Sequence, residues 1–426
     1  MIHFINVISY KKQSAATDSS RRNKLMFRLI FCIALLLTAV LPDTLCAAPV
    51  QVIKTVRDNP TLCVENIAGN AVFSNELKSF LQACGWFDVV NSPQADYVLK
   101  GQYANGTIRL KLSLGGVDLG FWQINVRSMS PRKLAAQAAD AIIEKTFKSL
   151  KIRGFCQSKI VFCAATAPGI RNLYACDIDG KNIEQLTRYK TLCVEPSWSS
   201  SGKSVIFSKY NRSGIQVLET TISQPRRTRQ ICSFDGINTG AAPSPNGKQL
   251  AVILSPDHRV DLYVLDFGST RPRRLTRDNA VEASPAWSPD GSRIVFVSDA
   301  YASGCPRLFI INRNGSGRQM LPTLGMDAVT PDWSSDNKIV YATRINGSYT
   351  LAVLDLKTGK NERVTKVPGN YESPTWAADN RQIVCKRGEG QYSEICLVDT
   401  WTGKVRKLLS TKYALSMPVW SPCPIR

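Results

Sequence analysis

A proline, one spacer residue and a tryptophan, followed by a polar turn, recur through the last two thirds of the 426-residue chain. The copies are Pro196-Ser-Trp198, Pro285-Ala-Trp287, Pro331-Asp-Trp333, Pro374-Thr-Trp376 and Pro418-Val-Trp420. A degenerate copy, Ala241-Ala-Pro243, is set in register by Ser244-Pro-Asn-Gly247, which matches Ser288-Pro-Asp-Gly291. Counted at the tryptophan position, the intervals are 45, 44, 46, 43 and 44 residues. Such a period marks a repeat architecture, in which no unit can bury its apolar face alone and each packs on its neighbours.

Every unit has one internal grammar. After the tryptophan comes a tight turn, then a short apolar run such as Ile294-Val-Phe-Val297, Val205-Ile-Phe207 or Ile383-Val-Cys385. A second run ends in an acid at Asp177, Asp266, Asp355 or Asp399, and a Gly-containing turn leads to a third run such as Arg274-Leu-Thr276. Short β-branched and aromatic runs between Gly, Asn and Pro are strands and turns. Four strands in about 44 residues describe a propeller blade. The first unit starts at Lys159 without a tryptophan strand, and nothing follows the last tryptophan strand except the short tail after Ser421. The C-terminal strand therefore completes the first blade, covering edges that would otherwise invite aggregation.

Residues 26–48 have the layout of a secretory signal peptide: Arg28, the apolar run 29–41, then small residues at Thr44, Cys46, Ala47 and Ala48. Met26 begins that signal by itself, so residues 1–25 read as a mis-called upstream start, with cleavage between Cys46 and Pro49. The mature chain then has no membrane span. Between leader and repeats, Val50–Val56 alternates as a strand would. A helix capped by Ser74 or Asn75 runs to Cys84 and stops at Gly85; strands cover 97–103, 108–114 and 117–126. A last helix, opened by Ser130-Pro131, runs to about Leu150. The expected fold is an α+β N-terminal domain (49–152) followed by an all-β six-bladed β-propeller (153–426) whose first blade is closed by the C-terminal strand.

The net charge of +21 falls to about +17 once the leader is removed. A basic surface attracts polyanions, and in an exported protein these are acidic envelope components or an acidic protein partner, not nucleic acid. Catalytic groups are scarce. The two histidines are His3, upstream of the leader, and His258, in a turn; no Gly-x-Ser-x-Gly elbow occurs. No metal set and no cofactor motif is present in the sequence, and the expectation is a non-catalytic protein without cofactor. Binding is expected on the six segments before each Pro-x-Trp unit, read as strand-to-strand loops converging on one mouth of the channel. They offer Glu195, Asn238, Gly240, Glu282, Ser284, Asp327 and Glu372. Glutamates that satisfy backbone amides around the channel are the alternative reading of the same residues. A periplasmic glycan-binding or enzymatic propeller is the alternative function.

The order of signal peptide, small α+β domain and six repeats resembles the TolB family, the periplasmic propellers of the Tol-Pal system in Gram-negative bacteria. The residues that carry it are Pro285-Ala-Trp-Ser-Pro-Asp-Gly291 with Leu262-Tyr-Val-Leu-Asp266, and the ending Pro418-Val-Trp-Ser-Pro422. The resemblance implies a monomeric periplasmic adaptor that binds the peptidoglycan-associated lipoprotein through the propeller mouth. It implies that the mature N-terminus (Val50, Val52 and Ile53) engages an inner-membrane Tol protein. The process would be outer-membrane invagination at division and envelope integrity. Asn238 matches the family's lipoprotein-contacting loop, with Ile237 where a histidine is usual.

Eleven cysteines follow Cys46, and export favours disulfides. Aligning Trp420-Ser-Pro-Cys423 on Trp287-Ser-Pro-Asp290, and Ser158-Lys-Ile-Val-Phe162 on Ser292-Arg-Ile-Val-Phe296, brings Cys156 and Cys423 to one turn position of the first blade. A Cys156–Cys423 disulfide clasping the ring is the expectation.

Overall fold

A computed structural model describes residues 58–126, 129–225 and 227–422. The leader, the segment carrying Val50, Val52 and Ile53, and Cys423 lie outside the described residues, as does one half of the expected Cys156–Cys423 pair. Among the described residues no helix is long and apolar enough to cross a membrane.

The N-terminal part is a five-stranded mixed sheet against two helices. Its strands are β1 (Thr61–Val64), β2 (Asp88–Val90), β3 (Tyr97–Ala104), β4 (Thr107–Leu114) and β5 (Val117–Asn125), in the order β2-β1-β3-β4-β5. The short parallel strands β1 and β2 were not expected, because four and three residues are too few to show a period. Helix α1 (Ala71–Ala83) starts earlier than Ser74 or Asn75: its cap is Asn70, whose side chain accepts the Phe73 N–H at 3.0 Å. Ser74 sits inside the helix, where its hydroxyl accepts the Ile67 N–H at 3.2 Å. Gly85 does end the helix, at φ +72°, and a Cβ there would lie 2.8 Å from the side chains of Gln382 and Arg406. The left-handed backbone is what favours glycine here; the close neighbours are the ends of flexible side chains that can shift. Helix α2 (Pro131–Thr146) opens on Ser130 with Pro131 at its first position and buries Leu134, Ala138 and Ile142. It ends four residues before Leu150, and a single 3₁₀ turn continues the chain over Lys148–Leu150.

The repeats form six four-stranded antiparallel sheets. Blades are numbered here in chain order, blade 1 starting at Lys159 and blade 6 ending at Leu409. The C-terminal strand Ala414–Trp420 pairs with Lys159–Ala167, placing Trp420 opposite Ile160, so the last strand closes the first blade. Phe155 meets the Trp420 ring edge-on at 5.7 Å, and the Trp420 indole donates to Ser158 Oγ at 2.6 Å. Two of the tryptophans join blade to blade through their indoles. The Trp198 indole donates to the Val419 carbonyl at 3.2 Å and that of Trp287 to the Ala242 carbonyl at 2.8 Å, each acceptor lying on the preceding inner strand. Asp332 accepts the Trp376 backbone N–H at 2.7 Å, and Thr375 that of Trp420 at 3.1 Å.

One apolar core runs from the N-terminal sheet and helices into blades 1 and 6. At the centre of the contact, the Arg381 guanidinium lies 4.5 Å from both the Trp86 and the Trp401 rings and pairs with Asp399 at 2.5 Å. Trp86 Nε1 donates to Asp379 at 2.9 Å, and Arg406 donates to the Gln82 and Ala83 carbonyls at the end of α1. Arg132 binds Asp177 and Asp179 at 2.7 and 2.5 Å. Removing one member of a buried ion pair leaves the other uncompensated and costs about 3–5 kcal/mol. Arg381→Ala is therefore expected to lower the unfolding free energy by about that amount, measured by thermal or denaturant unfolding. A change under about 1 kcal/mol would mean the contact does not hold the two parts together.

Candidate functional site

In each blade the turns joining strands 1–2 and 3–4 lie on one face of the ring. The loops joining strands 2–3, and one blade to the next, lie on the other. The N-terminal part covers the first face, through Asp379, Arg381, Asp399 and Lys404 of blade 6 and Asp177 and Asp179 of blade 1. The central channel encloses about 830 Å³ and is walled by the six Pro-x-Trp segments, with residues 150–153 at the covered end.

The segments expected to be loops are the inner strands themselves, Cys193–Trp198, Asn238–Pro243, Glu282–Trp287, Ala328–Trp333, Tyr371–Trp376 and Ala414–Trp420. Each pairs with its neighbour through a shift in register. At each shift one residue has positive φ: Glu195, Gly240, Ser284, Thr330, Ser373 and Met417, between 47° and 59°. A bulge bends the strand and re-aims its side chain. Five of the six are not glycine, and left-handed backbone costs such residues free energy. All six border the channel.

Three of the expected site residues, Glu195, Gly240 and Ser284, belong to this ring. Glu195 reaches into the next blade, accepting from Ser208 Oγ at 2.9 Å, the Gly240 N–H at 2.8 Å and the Thr239 hydroxyl. It ties blade 2 to blade 3. Asn238 is fully buried and spent within its own loop, donating to the Phe234 carbonyl at 2.6 Å and accepting the Phe234 N–H at 2.8 Å. Asp327 pairs with Arg344 at 2.8 Å and Glu372 with Lys386 at 3.2 Å. Glu282 is fully buried and faces Arg318 at 3.3 Å. The expected loops are thus strands, each acid is tied to a partner, and Glu195 satisfies the Gly240 amide, as in the alternative reading of these residues; Asn238 and Glu282 offer no surface.

Asp261, Asp278 and Glu282 converge within 4.8 Å, as ligands of a cation would. Arg274 bonds Asp261, and Arg318 bonds Asp278 and Glu282, so guanidinium groups hold that ground. His258 is exposed in its turn.

Apolar residues on the open face were missed from the sequence. Tyr301 and Tyr392, 68% and 83% exposed, stand on the strand 2–3 loops of blades 4 and 6; Met326 and Val367, 73% and 44% exposed, stand on the loops entering blades 5 and 6. The four lie on consecutive blades, on the face opposite the N-terminal part. Irregular loops carry no period to reveal them; their only sequence signal is an apolar side chain among turn residues.

A family model described as the TolB beta propeller domain matches residues 147–424. The chain belongs to the TolB family. A protein of Chlorobium luteolum named as a TolB homologue is 28% identical over 233 residues, 53% of this chain. The Tol-Pal system protein TolB of Francisella tularensis subsp. tularensis is 28% identical over 309 residues, covering 67% of this chain and 68% of that one. The match covers 51% of the Chlorobium relative, so this chain spans about half of that protein's length. In fold, the chain is similar to the crystal structure of TolB from Acinetobacter baumannii, with a TM-score of 0.76 at 20% identity, over 87% of this chain and 98% of that one.

Burial raises the Glu282 carboxyl from its ordinary 4.5 to about 8, with Arg318 opposing. The folded protein therefore holds this proton more tightly than the unfolded chain does. Its contribution to stability is complete below about pH 4.5 and is lost as pH rises toward 8. Glu282→Gln stays neutral throughout and leaves Arg318 its bonds to Asp278 and Ser298. Its stability relative to the parent should rise between pH 5 and pH 8 by on the order of a few kcal/mol, one pKa unit being worth about 1.4 kcal/mol. Unfolding midpoints across that range check it; a difference independent of pH would contradict it.

Proposed function

We propose that the chain is a non-catalytic periplasmic adaptor of the Tol-Pal system. The open propeller face binds the peptidoglycan-associated lipoprotein. The segment with Val50, Val52 and Ile53, together with the rest of the mature N-terminus, engages an inner-membrane Tol protein. The adaptor then acts in outer-membrane invagination at division and in envelope integrity. Family membership supports a place in the Tol-Pal system. The observation that carries the docking face is the run of Tyr301, Met326, Val367 and Tyr392 on the uncovered side.

Large exposed apolar side chains rimmed by polar ones suit protein docking, and aromatic anchors dominate such interfaces. The acids Asp327 and Glu372 sit behind these anchors, already paired with Arg344 and Lys386. They act by holding the inner strands in place, with Glu195, Gly240 and Ser284 shaping the channel rim between them.

Replacing Tyr392 and Met326 together by alanine should weaken binding of the soluble lipoprotein domain by at least about tenfold, since an interface anchor is worth about 2 kcal/mol or more. Phe121→Ala, on exposed β5 of the N-terminal sheet, should leave that affinity unchanged. Deleting residues 47–56 should abolish the inner-membrane partner and spare the lipoprotein. Titration calorimetry reads all three; an unchanged affinity for the double variant, with its fold intact, overturns the assignment of the face.

A further inference from the structure

The second strand of each blade meets the third at one recurring register position, two residues after the residue paired with the tryptophan position. The pairs are Phe162 with Tyr174, Phe207 with Leu218, Val252 with Tyr263, Phe296 with Phe309 and Tyr341 with Ala352. Each of these five includes at least one aromatic ring. Blade 6 has Cys385 opposite Cys396 instead. Two small thiols replace the bulk that fills the other five hairpins.

Cross-strand partners point to the same side of a sheet, so the two sulfurs share one face. That face is the interior: both cysteines are fully buried in the core between blades 5 and 6. Directly opposed residues of an antiparallel pair have Cα atoms about 4.5 or 5.5 Å apart, according to their hydrogen bonding. Either spacing falls in the window of about 4.4–6.8 Å that a disulfide needs. After burial, the strongest ionisable influence on Cys385 is the Cys396 thiol. Other cysteines face different residues in register: Cys163 faces Leu173, Cys176 faces Ile160, Cys193 faces Lys209 and Cys232 faces Val217. Among the described residues, Cys385 and Cys396 are the one cysteine pair that a strand register joins.

We infer that Cys385 and Cys396 are a redox site, thiols in the reduced protein and a cross-strand disulfide in the oxidised one. The oxidant is a disulfide-bearing thiol oxidant such as oxidised glutathione or a dithiol–disulfide oxidoreductase. A Cys385 thiolate attacks the oxidant's disulfide and releases one thiol. The Cys396 thiolate then displaces the second, so one S–S bond forms as one breaks. Two electrons pass from the cysteines to the oxidant, and their two protons end on its thiols. Both sulfurs are buried in the folded blade, so the exchange takes place before the hairpin packs or when it opens. The bridge would staple the hairpin that carries Arg381 and Asp399, which hold the N-terminal part through Trp86. Oxidation thus reinforces the platform between the two parts of the chain.

The full chain, refolded in a buffer of reduced and oxidised glutathione, is unfolded without reductant, alkylated and digested with trypsin. Lys386 and Arg387 lie between the two cysteines, so cleavage separates their peptides unless the sulfurs are joined. The expected result is one linked species that reduction splits; alkylation of both Cys385 and Cys396 overturns the inference. A second readout guards against misfolding of variants. Reductant should lower the unfolding midpoint by about 5 °C, with the shift smaller in Cys385→Ala and retained in Cys163→Ala. An undiminished shift in folded Cys385→Ala also overturns it.

Discussion

The architecture depends on how each inner strand is hung from its neighbours. Four-stranded sheets arranged radially have no hydrogen-bond ladder between them, so the ring needs other joints. Tryptophan supplies part of them: a large ring for the interblade core and, at Trp198 and Trp287, an indole N–H that reaches the preceding blade. The spacer residue supplies more, with Asp332 and Thr375 accepting from the next tryptophan backbone. Glu195 adds a joint between blades 2 and 3, where the degenerate Ala241-Ala-Pro243 has lost its tryptophan. Closure by Ala414–Trp420 turns this chain of joints into a circle and leaves no terminal blade open.

That ring is held on one side only. Blades 1 and 6, joined by the closing strand, share a continuous apolar core with the N-terminal part, and Arg381 is its polar centre. The Arg381 guanidinium meets both indole rings, which themselves touch edge-to-face at 5.2 Å, and still pairs with Asp399, an arrangement lysine could not reproduce. One consequence is directional. With the strand 1–2 and 3–4 turns of blades 1 and 6 engaged, the loops of the opposite face stay uncovered, and the apolar side chains gathered there on blades 4 to 6 are the surface we propose for a partner.

The repeat count, the strand order and ring closure were legible in the sequence because the tryptophan position recurs and strand residues alternate around it. The caps of α2 were legible for the same kind of reason, Ser130 and Pro131 being local signals. Asn70 was overlooked because Ser74 offered a competing cap and only tertiary contact with Ile67 decides between them. The site was legible in place but not in kind. The segments before each proline do ring the channel, yet sequence spacing could not reveal that they bulge within strands, nor that Glu282 meets Arg318, 36 residues away. The exposed apolar residues had no pattern at all, since Tyr301, Met326, Val367 and Tyr392 sit on loops outside the strand repeat.

The central claim is that the uncovered face of the propeller is the docking face. Hydrogen–deuterium exchange of the full chain, with and without the soluble lipoprotein domain, tests it without altering a residue. The account predicts slowed exchange in the loops at 299–306, 321–327, 364–370 and 388–393, with the 1–2 turns of the covered face unchanged. Protection confined to the N-terminal sheet, or to the turns around Asp379 and Asp399, would contradict it.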